Sequence, residues 1–453
     1  MESSPLPVTC SGRLLVLQGP VGGFFRHLVS AAVSYGCEVV KVHFNLADRV
    51  FQGGGVNILC REKPAALTEW LERLCRSKRF DAIIVFGDRR PVHIAAGVVA
   101  KRLGIPFYCF EEGYLRPDFV TFEAGGNNAR SLLPRERSAF DAKRPTVAVA
   151  EPVTPVVRVP PSFTRMSIAA IGYFVVLAVG RPWFPHYRHH RDRSLPGEII
   201  FWLRNGLRKV ASRRRDRTIE QALIRDPHRK FFIVALQVHD DLQLVHHAAG
   251  WSQERLIEAS IRVFALFASK HATLLIRCHP YDRGHRSYRK LVRSLACRFG
   301  VDGRTHYIQT GHGPTLLPLA AGLITVNSTM ALSALYHNCP VYAVGDSFYH
   351  VDGLVGGRLG EDGLADFFTN PPAVDKDLYA RFVAALRERT LIIGSFYDKR
   401  FWPIVVRGVL RRLQDDGVLA RLSEGTAPVG EPRQLPFCRT LAMPVDSPSR
   451  PST

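Results

Sequence analysis

Two adjacent acids in FEEGYLRPD, residues 110 to 118, are equipped for acid–base work. Glu111 and Glu112 end an apolar run, and Gly113 lets the backbone turn sharply behind them. A carboxylate at a strand end stands where a general acid or base belongs; Glu112 is the first choice and Glu111 the alternative. A second acid pair lies in LQVHDDLQL, residues 236 to 244. Asp240 and Asp241 suit a helix cap, yet Gln237, His239 and Gln243 make the cluster dense for one. A carboxylate here could attack an anomeric carbon, with Asp241 preferred to Asp240. RCHPYDRG, residues 277 to 284, sets His279 and Pro280 between Arg277 and Arg283, and NSTMALSALYHNCPV, residues 327 to 341, opens on Ser328 and Thr329. Hydroxyls and amides at a helix start, an imidazole and guanidiniums together make a phosphate site, although an ordinary Ser/Thr cap explains Ser328 and Thr329 alone. In QGPVGGFFRHL, residues 18 to 28, Gly19, Gly22 and Gly23 permit close backbone approach to an anion, but the signal is weak alone and a tight structural turn is the stronger reading.

Each of these segments follows a strand-like run. Leu14 to Gln18, Glu38 to Phe44, Asp81 to Phe86 and Ile105 to Phe110 alternate with helical patterns over Pro64 to Ser77 and His93 to Leu103. A second series runs through Lys230 to Gln237, Ala272 to Arg277, His306 to Gln309, Ala321 to Val326 and Pro340 to Val344, with residues 374 to 415 largely helical. Strand–helix alternation implies mostly parallel sheets with helices on both faces, and ligands beyond the strands' carboxyl ends. The expected fold is α/β and GT-B-like, two Rossmann-like domains facing a central cleft. The expected boundaries are an acceptor-side domain over 1–142, a Pro-rich linker and basic helical segment over 143–225, a nucleotide-sugar domain with closing helices over 226–422, and a disordered tail over 423–453.

The chain has 453 residues, and 61 Lys and Arg against 40 Asp and Glu give it a formal charge of +21. That balance favours polyanionic partners. Neither stacking motifs nor a helix-turn-helix pattern accompanies it, so nucleic acid ranks last among them. Nine scattered cysteines, none in CxxC spacing, read as reduced core thiols, and no metal-ligand spacing stands out. The first residues show no signal-peptide pattern. Ile168 to Val179 is apolar but shorter than the roughly 20 residues of a spanning helix, which suits a buried or interfacial segment. The Arg-rich stretch 181–217, interleaved with Ile199 to Leu203, resembles an interfacial helix; a solvated hairpin on the core is the competing reading.

Taken in order, QGPVGGFFRHL, FEEGYLRP, LQVHDD, RCHP and NSTMALSALYHNCPVYAVG resemble the capsule polysaccharide biosynthesis/export proteins of the KpsS and LipB type. The resemblance implies a retaining β-Kdo transferase related to KpsC enzymes, using CMP-Kdo with no metal or cofactor. It further implies a (lyso)phosphatidylglycerol acceptor, the cytoplasmic face of the inner membrane, and as partners a second Kdo transferase and a capsule export transporter. The family's acid-acid-Gly, His-Pro, Ser-Ser/Thr and Gln-Val-x-x-Asp motifs fall on Glu111-Glu112-Gly113, His279-Pro280, Ser328-Thr329, and Gln237, Val238 and Asp241. On this reading Asp241 is the nucleophile and Glu112 activates the acceptor. His279, Ser328 and Thr329 hold CMP, Arg277 or Arg283 neutralises its phosphate, and Arg116 reads the Kdo carboxylate. A UDP-sugar transferase and a non-catalytic export component are the rival readings.

Overall fold

Short apolar runs such as Ala82–Phe86 (AIIVF) are buried nearly throughout, as strands covered on both faces must be. The computed structural model describes residues 10–141, 159–160, 163–189, 195–226, 228, 230–239, 244, 248, 250–356 and 360–421. Strands β1 (Arg13–Val16), β2 (Glu38–His43), β3 (Val56–Leu59), β4 (Ala82–Phe86), β5 (Phe107–Glu112) and β6 (Phe119–Ala124) form the first sheet. The second consists of β7 (Phe231–Ala235), β8 (Thr273–Arg277), β9 (Thr305–Ile308), β10 (Gly322–Thr325) and β11 (Val341–Ala343). A return strand, β12 (Leu391–Ile393), joins the first sheet.

The orders are β12-β6-β5-β4-β1-β2-β3 and β9-β8-β7-β10-β11. From β1 to β5 and throughout the second sheet every pairing is parallel. Each half therefore has the Rossmann order, with its switch point between β1 and β4 or between β7 and β10. The fold is GT-B-like, two Rossmann-like halves about a cleft.

The helices are α1 (Phe24–Ser34), α2 (Leu46–Val50), α3 (Leu67–Lys78), α4 (Pro91–Leu103), α5 (Phe163–Gly180), α6 (Leu195–Arg225), α7 (Gln253–Phe267), α8 (Arg289–Arg298), α9 (Met330–Tyr336), α10 (Lys376–Thr390) and α11 (Trp402–Asp415). The stretch 374–415 is thus two helices separated by a strand. Residues 391–421 do not close the second half as expected: β12 pairs antiparallel with β6, and α11 buries Val405, Val409 and Leu413 in the core of the first. The apolar face of α11 packs beside α1 on that sheet, in one shared core.

One apolar cluster bridges the halves. It joins Tyr114, Leu133 and Phe140 to Phe348, Phe382 and Leu391, and the rings of Tyr114 and Phe348 stack with centroids 4.0 Å apart. Beside this stack Glu123 is buried, accepting from the Tyr114 hydroxyl at 2.6 Å, Asn127 Nδ2 at 3.2 Å and the Ser131 hydroxyl at 2.5 Å. Burial pushes the Glu123 carboxyl up from 4.5 to about 7, against the pull of its three donors. Between those values the folded chain keeps a proton that the unfolded chain releases. This group's stabilisation is complete below 4.5 and is lost as pH rises to about 7. Glu123→Gln is expected to flatten the decline of the thermal midpoint across that window, as read by calorimetry; an unchanged slope contradicts the assignment.

Candidate active site

The loops after β5, β7, β8, β9 and β10, together with helices α9 and α10, line a cavity of about 1760 Å³ between the halves. The first half contributes Tyr114, Leu115, Arg116 and Phe119. The second contributes Leu236, Arg277, His279, Pro280, Gly313, Pro314, Ser328, Thr329 and Met330. Two loops of the second half are clasped at its switch point. Gln237 Nε2 donates to Asn327 Oδ1 at 2.9 Å, and the Asn327 amide donates back to Gln237 Oε1 at 3.1 Å. The clasp fixes the chain just before Ser328, whose hydroxyl accepts from the Met330 amide at 3.2 Å. Thr329 makes no capping bond to α9.

His279 stands at the centre of the positive charge. Burial, then Arg277, Arg116 and Arg283, lower its pKa to about 3, so the ring is neutral at physiological pH. Its Nδ1 accepts from the Tyr281 amide at 3.2 Å. That bond leaves the ring proton on Nε2, a neutral donor for an anionic oxygen. Arg277 donates to the Gly311 carbonyl at 3.2 Å and lies against Met330 Sδ at 3.5 Å; among the described residues no carboxylate pairs with it. Arg116, anchored on the Gly113 carbonyl at 3.2 Å, approaches from the other half. Guanidiniums, a neutral imidazole donor and two hydroxyls can hold a phosphate and stabilise it as it departs. Among the described residues no group of three or more His, Cys, Asp or Glu could hold a metal ion.

The family pattern described as "Capsule polysaccharide biosynthesis protein" matches residues 81–397. The chain is 35% identical over 399 residues to the "Capsule polysaccharide export protein KpsS" of Escherichia coli, covering 88% of this chain and 100% of that one. It is 32% identical to the "Capsule polysaccharide modification protein LipB" of Neisseria meningitidis, over 86% of this chain and 93% of that one. The chain belongs to the capsule polysaccharide biosynthesis family. Among solved structures, the "beta Kdo 2,7 transferase" KpsC of Thermosulfurimonas dismutans aligns over 87% of this chain and 99% of its own, with 12% identity and a TM-score of 0.39.

Of the residues singled out in this capsule-family chain, the structure gathers Arg116, Arg277, His279, Pro280, Ser328 and Thr329 around one cavity. Gln237 is drawn away from it, because its amide is spent on Asn327. Gly19 and Gly22 do not line the cavity either. The Gly19 carbonyl accepts from Arg90, and a Cβ at Gly22 would face Ala169 of α5. Arg283 is buried and donates to the Gln309 carbonyl at 2.9 Å. Glu111 and Glu112 end β5 two residues short of the lining and, by strand alternation, face opposite sides of the sheet. Tyr397 donates to Glu112. Gly113 is obligatory in this motif, since a Cβ there would sit 1.9 Å from the Phe119 carbonyl oxygen. Asp240, Asp241 and Gln243 lie outside the described residues, directly after His239, whose Nδ1 meets Asp282 Oδ1 at 2.6 Å.

Sequence reasoning missed Asn327 and the Gly311–Pro314 loop as parts of the site. The GHGP glycines were the available signal for the loop, and nothing in the pattern marked Asn327 as a clasp. The electrostatics are checkable by NMR. In protein labelled at histidine, the His279 Cε1–H resonance should stay flat from pH 5 to 8, and a midpoint near 6.5 would contradict the cationic surroundings.

Proposed function

We propose that this chain is a retaining β-Kdo transferase. It moves Kdo from CMP-Kdo to a (lyso)phosphatidylglycerol acceptor at the cytoplasmic face of the inner membrane, starting a capsular polysaccharide linker. The observation that carries the reading is the positive cradle, with Arg116 of one half beside His279, Arg277, Ser328 and Thr329 of the other. Such a cradle suits a donor with one phosphate on the sugar and a carboxylate on the same carbon. The motif resemblance points to the same donor, and the names of KpsS and LipB tie their family to capsule assembly.

In the first step Asp241 forms a bond to the anomeric carbon as the bond to the CMP phosphate breaks. His279 Nε2–H and Arg277 take up the charge on the departing phosphate, while Arg116 holds the Kdo carboxylate. In the second, the acceptor oxygen displaces Asp241 and its proton passes to Glu112, which Tyr397 orients. Two inversions give net retention. Purified protein given CMP-Kdo, CMP-sialic acid or UDP-sugars with fluorescent lyso-phosphatidylglycerol should yield product with CMP-Kdo alone. Asp241→Ala should cut turnover by about 10³-fold or more, and Arg116→Ala should raise the donor KM by roughly ten-fold. Product formed only from a UDP-sugar, or full turnover by Asp241→Ala, refutes the scheme.

The two central helices support the membrane part of the proposal. Thr164–Trp183 is long and apolar enough to cross a membrane by length and composition, and only 11% of that window is buried. The helix around the 12-residue run Ile168–Val179 is therefore not a buried core helix. Ile168, Ile171, Val175, Val179 and Trp183 are exposed on it. Ile200, Leu203, Leu207 and Val210 make an exposed stripe on α6 at helical spacing, beside Arg204, Lys209, Arg213 and Arg214. An apolar stripe flanked by cations fits an anionic leaflet. The protein should co-sediment with phosphatidylglycerol vesicles in a salt-sensitive way, and Leu203→Asp with Leu207→Asp should weaken this about ten-fold. Equal binding to pure phosphatidylcholine vesicles would contradict the electrostatic part.

A further inference from the structure

We propose that Asp216 and Glu220, two acids one turn apart on α6, are positioning residues for the nucleotide site, acting through the 309–313 loop. This rests on the reading of the cavity as a nucleotide-sugar site. Asp216 is fully buried, on the face of α6 opposite the exposed apolar stripe. Its Oδ2 accepts from the Gln309 amide at 2.8 Å, the Thr310 amide at 2.8 Å and the Thr310 hydroxyl at 3.0 Å. Its Oδ1 accepts from Arg215 at 2.6 Å, and Arg215 in turn donates to the Tyr307 carbonyl at 2.8 Å. Glu220 accepts from the His312 amide at 3.2 Å. Three backbone amides of one loop are thus held by two side chains of a distant helix.

What the loop does next makes these contacts functional. The Gly311 carbonyl between them receives Arg277, the cation beside His279. Gly313 and Pro314, which follow, form part of the cavity wall. The Gln309 carbonyl receives Arg283, whose own carbonyl accepts from Arg208 of α6 at 2.7 Å. A buried carboxylate is costly unless its bonds are all made. Here those bonds run to the segment that aims Arg277. Removing Asp216 frees the loop, and Arg277 loses the carbonyl that orients its guanidinium.

The test uses the full chain and CMP as probe. Asp216→Ala should weaken CMP binding at least ten-fold by calorimetry, and should raise the donor KM more than it lowers kcat. Hydrogen exchange should accelerate at the amides of Gln309, Thr310 and His312. Asp216→Asn, which keeps an acceptor oxygen for the two amides, should retain affinity within about three-fold of wild type. Glu220→Gln, on a half-buried position, gives a second measurement if Asp216→Ala fails to fold; it should accelerate exchange at His312 and weaken CMP binding about two- to three-fold. Folded variants that bind CMP as wild type does, whatever their thermal midpoint, overturn the positioning role alone. Wild-type protein that binds no CMP overturns the donor reading and this inference with it.

Discussion

Positive charge held by main-chain carbonyls is the constraint on which the site depends. Arg116, Arg277 and Arg283 all act on His279, yet each is anchored by a main-chain carbonyl, that of Gly113, Gly311 or Gln309. A carbonyl satisfies a guanidinium's hydrogen-bonding need without cancelling its charge. The net field therefore remains for an incoming anion. Burial, reinforced by the same field, keeps His279 neutral, so the ring adds a directed hydrogen bond rather than another full charge. A carboxylate partner on Arg277 would quench the field and raise the imidazole pKa, and the cradle would become an ordinary ion-pair network.

Arg116 and Arg277 belong to different halves, so the geometry of the cradle is set by the contacts that hold the halves together. Tyr114, two residues before Arg116, stacks on Phe348. Arg135 pairs with Asp346 at 3.1 Å, and Arg137 with Asp375 at 2.6 Å. The return of β12 and α11 to the first sheet makes the connection a double crossing of the chain rather than a single tether. Both ion pairs are partly exposed and individually weak in water. The aromatic stack and the shared apolar cluster carry more of the association, through area removed from solvent.

Much of this fold was legible because parallel strands announce themselves. AIIVF, TLLIR and GLIT are short, continuous and buried on both faces, and they fall within a residue or two of the expected places. The strands that escaped notice lack that signature. Val56–Leu59 is an edge strand with three of its four residues exposed. Phe119–Ala124 and Leu391–Ile393 are antiparallel additions whose pairing depends on tertiary contact, the latter only three residues long between two helices. At the site, residue types revealed His279, Ser328 and Arg116, since each has chemistry of its own. Gln237 looked like a ligand contact because an amide's partner cannot be read from type alone; here the partner lies 90 residues away. Asp216 gave no sign at all, sitting among arginines where a solvated ion pair is the ordinary reading.

The central helices show why a run length is a poor guide to environment. The apolar window around Tyr173 is attached to the first half by its polar and smallest residues. The Tyr173 hydroxyl lies 3.0 Å from Asn45 Nδ2 and 3.3 Å from Asp48 Oδ1, and Gly180 packs so tightly on Leu46 that a Cβ would come within 2.2 Å of it. Gln18 completes the buried cluster through Asp48 and Tyr187. A helix packed on a water-soluble core shows the opposite order, with apolar groups inward and polar groups outward. Here hydrogen bonds fasten the inner face while Ile168, Ile171, Val175 and Val179 point away from the protein. Such an inversion costs free energy in water and little against hydrocarbon. The proposed contact with an anionic leaflet accounts for it, and for the arginines that flank the outward stripe on the neighbouring helix.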